Sequence, residues 1–266
     1  MKDASARNSP QHNGTGRKIG LARALSKLGF CSRQQAADLI RQGKVRLNGA
    51  TTRNPEAAVR LEKDRVEVAG RIVRRAEKLY LMMNKTRGVV TTASDEKGRD
   101  TVYSILPEDL AWLAPVGRLD QASEGLLLFT NDSEWAARVT DPATHLDKTY
   151  HVQIGTTATE ALSRELEQGV ETERGEILRC KRARILRVGE KNSWLEMVLD
   201  EGKNRQLRRM FDARGIEVLR LIRVAIGPLQ LGELAKGTHR NLTSAEVASL
   251  NRAMGLPLSP ARPLLD

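Results

Sequence analysis

Apolar residues in the first quarter of the chain recur at helical spacing, and beyond it they fall mostly into short strand-type runs. From Ile19 the positions Leu21, Ala22, Leu25 and Leu28 share one helical face, and Gly29 follows as a stop. Ser32 stands three residues before Gln35, the capping-box spacing, and opens a second short helix through Ala36, Leu39 and Ile40 that ends at Gly43. Val45-Arg46-Leu47 alternates into Asn48-Gly49, a two-residue hairpin turn, and Val66-Glu67-Val68 resumes the strand character. Residues 1–16, rich in Ser, Asn, Gly and Gln and without period, are expected to form a disordered leader.

A polar stretch from Arg71 to Lys78 marks a boundary. Beyond it strand-type runs at 79–83, 89–92, 125–130, 150–154, 194–199 and 218–226 alternate with helical stretches at 133–139, 157–167 and 205–213. Hairpin-length connections recur, as between Met83 and Val89 across Lys85-Thr86-Arg87-Gly88. Strands outnumber helices, so the expected class is α+β: a mixed, largely antiparallel sheet rather than a doubly wound one, preceded by a small α+β module. The division that follows is a leader over 1–16, a module over 17–76, a main domain over 77–255 and a tail over 256–266. There is no internal repeat, no Gly-rich phosphate loop and no dinucleotide fingerprint.

Charge sharpens this division. The net charge is +11, and residues 1–76 hold 17 Lys and Arg against 6 Asp and Glu, so the whole excess lies there. Such concentration is the footprint of a polyanion-binding module joined to a neutral body. A membrane-surface helix would need large apolar anchors, and Phe30 is the one aromatic in that region. With aromatics at 3%, a nucleic-acid surface must work chiefly through charge and hydrogen bonds. The basic helices and strands, with Arg33, Arg41, Lys44 and Arg46 along them, suit an RNA reader or a DNA reader. Two distant cysteines, Cys31 and Cys180, and the lack of a secretory signal or a bilayer-length apolar run point to a reduced cytoplasmic protein with no membrane attachment.

Three constellations could carry chemistry. In Gly117-Arg118-Leu119-Asp120-Gln121-Ala122-Ser123-Glu124-Gly125 a charged pair lies in a Gly-bounded loop before the run Leu126-Leu127-Leu128-Phe129, which reads as a strand buried on both faces. On spacing alone Arg118 and Asp120 are most simply a surface ion pair or a turn cap. In Glu201-Gly202-Lys203-Asn204-Arg205-Gln206-Leu207-Arg208-Arg209-Met210 a helix beginning near Asn204 would set Arg205, Arg208 and Arg209 on one face. A solvated basic face is the plain alternative. In Lys148-Thr149-Tyr150-His151-Val152 an alternating strand carries a Tyr that, alone, reads as half-buried packing. The four histidines and two cysteines show no metal-ligand spacing.

These runs together resemble the motifs of the bacterial ribosomal RNA pseudouridine synthases of the single-site, small-subunit and large-subunit type: Gly-Arg-Leu-Asp followed by Ser or Thr and Gly-Leu-Leu, Lys-x-Tyr-x-Val, and Glu-Gly-Lys-Asn-Arg-Gln-Leu-Arg-Arg-Met. Arg220-Leu221-Ile222-Arg223-Val224 with Gly227 adds to the likeness. The segment Gly98-Arg99-Asp100-Thr101-Val102 departs from it at Asp100, where many relatives carry Pro. Residues 17–76 resemble the small RNA-binding module first described in a small-subunit ribosomal protein, here the S-four-like module.

The resemblance implies an isomerase that breaks the bond between the ribose anomeric carbon and the uracil ring nitrogen, turns the base and rejoins it through carbon 5. It implies no cofactor and no metal. Asp120 would be the catalytic carboxylate, acting by attack on the sugar or by removing a sugar proton to form a glycal. Arg208 would be its ionic partner, Tyr150 would stack on the base and Leu207 would press on it. Arg118 would fill the space left by the extruded uridine or hold a neighbouring phosphate, with Lys203 and Arg205 as further RNA contacts. The implied partner is ribosomal RNA or a pre-ribosomal particle, the large subunit being preferred from the look of residues 218–228, and the implied state is a monomer. The competing readings are a small-subunit enzyme, a non-catalytic RNA-binding assembly factor and, from the N-terminal helices alone, a DNA-binding regulator.

Overall fold

The computed structural model describes residues 17–256 apart from positions 94, 96, 108, 109 and 111, so the expected leader and all but the first residue of the tail lie outside the described residues. Two compact units divide after Ala76.

In the first unit α1 (Leu21–Lys27) and α2 (Arg33–Arg41) pack on a four-stranded sheet of β1 (Val45–Leu47), β2 (Ala50–Thr52), β3 (Val66–Val68) and β4 (Arg71–Ile72), in the order β2-β1-β3-β4. Ser32 and Gln35 form the capping box that starts α2. Asn48 and Gly49 both have positive φ, as a type I′ hairpin requires. Ile19 and Gly20 are not helical: they pair with Val59 and Ala58 as a small strand, and the helix starts two residues later than its apolar period suggests. Leu21, Leu25, Ile40, Val45 and Val59 are fully buried in this unit's core.

The second unit is built on a nine-stranded sheet. Its strands are β5 (Tyr80–Lys85), β6 (Ala114–Val116), β7 (Glu124–Thr130), β8 (Lys148–Ile154), β9 (Arg182–Val188), β10 (Ser193–Leu199), β11 (Val218–Ile226), β12 (Leu229–Gln230) and β13 (His239–Asn241). The order is β9-β10-β8-β11-β7-β5-β13, with β6 on β7 and β12 on β11. Every pairing is antiparallel except β7 with β11, so the fold is the expected α+β type. The helices are α3 (Ser133–Thr140), α4 (Glu160–Gln168), α5 (Gln206–Asp212) and α6 (Ser244–Ala253). Strand β7 is buried along its whole length: Leu126 and Leu128 enter one core cluster, Leu127 and Phe129 the other. No helix of the described residues is long and apolar enough to cross a membrane.

The hairpin expected between Met83 and Val89 is absent. Both edges of β5 are occupied, by β7 and by β13, so no edge is left for residues 89–92. That segment makes a single bridge, Val90 to Thr101, and turns instead onto the loop preceding β7. Strand β9 gave no apolar run to find because it is the sheet's edge, with Arg182 and Arg184 exposed and paired to Glu196.

Candidate active site

The loop carrying Asp120 is held by its carbonyl oxygens. Thr91 Oγ1 donates to Leu119 O at 2.8 Å, Ser123 N to Asp120 O at 2.9 Å, Gly88 N to Gln121 O at 2.8 Å, and Arg208 Nη2 to Ala122 O at 3.1 Å. Lys85 Nζ spends its three donors on Asp120 O at 3.1 Å, Ser123 O at 2.8 Å and Thr86 O at 3.0 Å. Lys85 is fully buried, and burial pulls its pKa down to about 8, with the charges of Asp120 and Glu124 opposing. At the end of the loop Glu124 accepts both prongs of Arg220, at 3.0 and 2.9 Å, and Lys236 at 2.8 Å. Burial pushes its carboxyl up, but the two cations outweigh burial and hold it below its ordinary value. Gly125, at φ 100°, follows: a Cβ there would collide with the carbonyl of Arg223, so glycine is what lets β7 and β11 approach in parallel. The Asp120 carboxylate is one-third exposed, and its sole ion pair among the described residues is Arg205 Nη1 at 4.0 Å.

Arg208 is therefore not the carboxylate's contact partner. Its guanidinium spans Ala122 O and Val218 O, and its buried Nε has no acceptor among the described residues. Burial lowers its pKa, Arg205 adds to this, and the charge of Asp120 opposes. The three arginines do not share a helical face either. Arg205 is the N-cap, with φ 48°, because α5 starts at Gln206; Arg209 instead pairs with Glu176. Gln206 is buried and donates to Arg179 O and Glu201 Oε1 at 2.9 and 2.6 Å. Leu207, Met210 and Phe211 form the buried stripe of α5, which turns Leu207 toward the sheet.

Between loop and helix lies a cleft of about 670 Å³, lined by Arg118, Asp120, Tyr150, Lys203, Arg205 and Leu207 among the expected residues. Arg118 is exposed at its wall and has no hydrogen bond or ion pair among the described residues. Tyr150 is half-buried and packs against two core clusters. Lys148 and Arg223 also line the cleft, although neither is among the residues to which the resemblance assigns a role. A β-bulge sets Arg223 there: the β8–β11 register slips between Thr149/Ala225 and Tyr150/Arg223, so that Val224 stands without a partner on β8. Lys85, which the expected turn over 85–88 places in a connection, is instead the last residue of β5. A lone lysine ending a strand that is otherwise buried is the signal that could have found it. No group of His, Cys, Asp and Glu among the described residues could hold a metal ion.

A rigid loop presenting one carboxylate across a cleft from a tyrosine and a leucine suits displacement or proton abstraction on a flat-ringed substrate. A family model described as RNA pseudouridylate synthase matches residues 79–213. The chain belongs to the RNA pseudouridylate synthase family. A model of the S4 domain matches residues 19–66. The chain is 38% identical to ribosomal large subunit pseudouridine synthase B of Bacillus subtilis (strain 168) over 233 residues, 86% of this chain and 94% of the relative. It is 35% identical over 246 residues to an uncharacterized RNA pseudouridine synthase of Aquifex aeolicus (strain VF5), covering 92% and 98% of the two chains. A crystal structure of a pseudouridylate synthase superposes with a TM-score of 0.62 at 30% identity, covering 87% of this chain and all but 1% of the other.

In the S4 unit of this synthase Arg33, Arg41, Lys44 and Arg46 are all exposed. Arg53 donates to Arg41 O at 3.0 Å and lies over Gly43, which sets a further guanidinium beside the end of α2, while the Arg41 side chain pairs with Asp38 at 3.1 Å. Arg46 is partly committed to its own hairpin, donating twice to Gly49 O.

Proposed function

We propose that this pseudouridine synthase isomerises one uridine of large-subunit ribosomal RNA, acting in the cytoplasm as a monomer, with Asp120 as the group that reacts at the sugar. The observation that carries the reading is the Asp120 loop: its backbone is tied down from Leu119 to Ser123 while its carboxylate, at the cleft wall, has no hydrogen-bond donor among the described residues. Such an anion is held in place and free to act as nucleophile or base. The name of the Bacillus relative supports the large subunit over the small. Tyr150 and Leu207 supply the two faces between which an extruded uracil fits, and Arg118 and Arg205 meet the backbone at the mouth. Arg208 acts as a positioning residue, through the carbonyl of Ala122 and through its charge.

The test is pseudouridine mapping after incubating the purified protein with large-subunit and small-subunit ribosomal RNA transcripts. One modified uridine in the large-subunit RNA, absent with Asp120→Asn, is expected. Modification of the small-subunit RNA alone would move the substrate assignment, and full activity of Asp120→Asn would remove the carboxylate from the chemistry.

A further inference from the structure

The floor of the cleft holds two cations that the chemistry above does not employ. Arg223 is 6% exposed; its Nε donates to Leu126 O at 2.7 Å, and its buried Nη2 has no acceptor among the described residues. Lys148, two residues before Tyr150 on the same face of β8, makes no hydrogen bond or ion pair among the described residues. Both cations line the same cleft; burial lowers the Lys148 pKa, the charge of Arg223 adds to this, and Asp147 and Asp200 oppose it. The bulge at Val224 makes Arg223 the direct cross-strand partner of Tyr150. Buried donors in folded proteins are almost always satisfied, and an exception at a functional cleft calls for an acceptor that arrives with the substrate.

We infer that Arg223, with Lys148 beside it, donates a hydrogen bond to a ring carbonyl oxygen of the target uracil and stabilises the charge the ring carries while it is detached from the sugar. The inference rests on the uridine-isomerising reading above. When the bond between the anomeric carbon and N1 breaks, its electron pair leaves with the base and spreads over N1, O2 and O4. After the base turns, that pair forms the bond from C5 to the anomeric carbon, the C5 proton is lost and N1 gains one. Arg223 transfers no proton: its guanidinium keeps its charge and acts as a fixed donor from a buried position. A phosphodiester is a poorer match than a carbonyl oxygen, because a side chain this buried on the sheet floor is reached by a flat ring edge more readily than by a backbone flanked by two riboses. A guanidinium facing O4 would also oppose cytosine, whose exocyclic amine is a donor.

The experiment uses the full-length protein and substrate RNA carrying uridine, 2-thiouridine or 4-thiouridine at the target, with single-turnover rates and RNA affinity measured for wild type, Arg223→Gln and Lys148→Met. Sulfur is the weaker acceptor, so one of the two thio-substitutions should slow wild type roughly tenfold or more. Arg223→Gln should be slow on uridine and indifferent to that same sulfur, with affinity within a few-fold of wild type. Lys148→Met should show a smaller penalty for it. Wild-type rates unaffected by either sulfur would overturn the inference, even if Arg223→Gln fails to fold. So would an equal sulfur penalty in wild type and Arg223→Gln. So, too, would losses that instead follow neutral methylphosphonates placed at the flanking phosphates, which would assign the cations to the backbone. Wild type that makes no pseudouridine on unmodified RNA would contradict the parent reading instead.

Discussion

At the scale of single residues the site separates groups that face the substrate from groups that hold those groups still. Tyr150 faces the cleft, so Tyr150→Phe should bind substrate RNA more tightly than Tyr150→Ala, because the ring face supports stacking, worth about 1–3 kcal/mol per base, and the hydroxyl does not. Equal dissociation constants for the two variants would remove the stacking role. Arg208 and Arg205 should also differ. Arg208→Ala takes a guanidinium donor from the carbonyls of Ala122 and Val218 and should lower stability by about 1–3 kcal/mol along with turnover. Arg205→Ala, at an exposed N-cap, should lower RNA affinity with little change in the melting temperature. Matching thermal midpoints for both variants would contradict the division. Asp120, Tyr150 and Leu207 were legible as candidate site residues through the resemblance of their motifs to a known family, since spacing alone favoured an ion pair and packing. The way Arg208 acts was not legible, since a sequence shows neither which carbonyl a guanidinium reaches nor that Arg205 adopts a left-handed cap.

Among the elements, the segment from β5 through the Asp120 loop into β7 behaves as one unit, clamped by Lys85. The clamp needs three donors, which the ammonium has and the neutral amine lacks. Turnover should therefore fall as pH rises through about 8, the value to which burial pulls Lys85. Stability should move the other way. The folded value lies below the ordinary 10.5, so the unfolded chain binds more protons between the two, and linkage makes this group's contribution rise with pH across that window. Lys85→Met should lack the alkaline limb and have low turnover throughout; a wild-type-like pH profile in that variant would show that Lys85 does not gate the loop. The buried strand β7, the strand β11, both N-terminal helices and the Asn48-Gly49 turn were legible because period, capping and turn chemistry agree there. The false hairpin at 83–89 arose because strand propensity is local, whereas the occupancy of β5's two edges is set by β7 and by β13, more than 150 residues further on.

For the whole molecule, charge and chemistry are divided along the chain: residues 1–76 carry the entire excess of positive charge, and the cleft lies in the second unit. Deleting residues 1–76 should weaken binding to structured ribosomal RNA and flatten its salt dependence by several units of slope, each lost phosphate contact contributing about 0.7–0.9. Single-turnover rates at saturating RNA should change little, and an unchanged salt slope would mean that this region is not the RNA anchor. The asymmetry of charge was plain in the sequence. The substrate position was not, because the side chains that choose one uridine among many lie on surfaces whose RNA partner the sequence does not contain. The central claim is that this synthase modifies a large-subunit uridine through Asp120. Its most direct test is a pseudouridine map of ribosomal RNA from cells lacking the protein, complemented with wild type or with Asp120→Asn. The account predicts one large-subunit site that disappears on deletion, returns with wild type and stays unmodified with Asp120→Asn. An unchanged map on deletion, or restoration by Asp120→Asn, would contradict it.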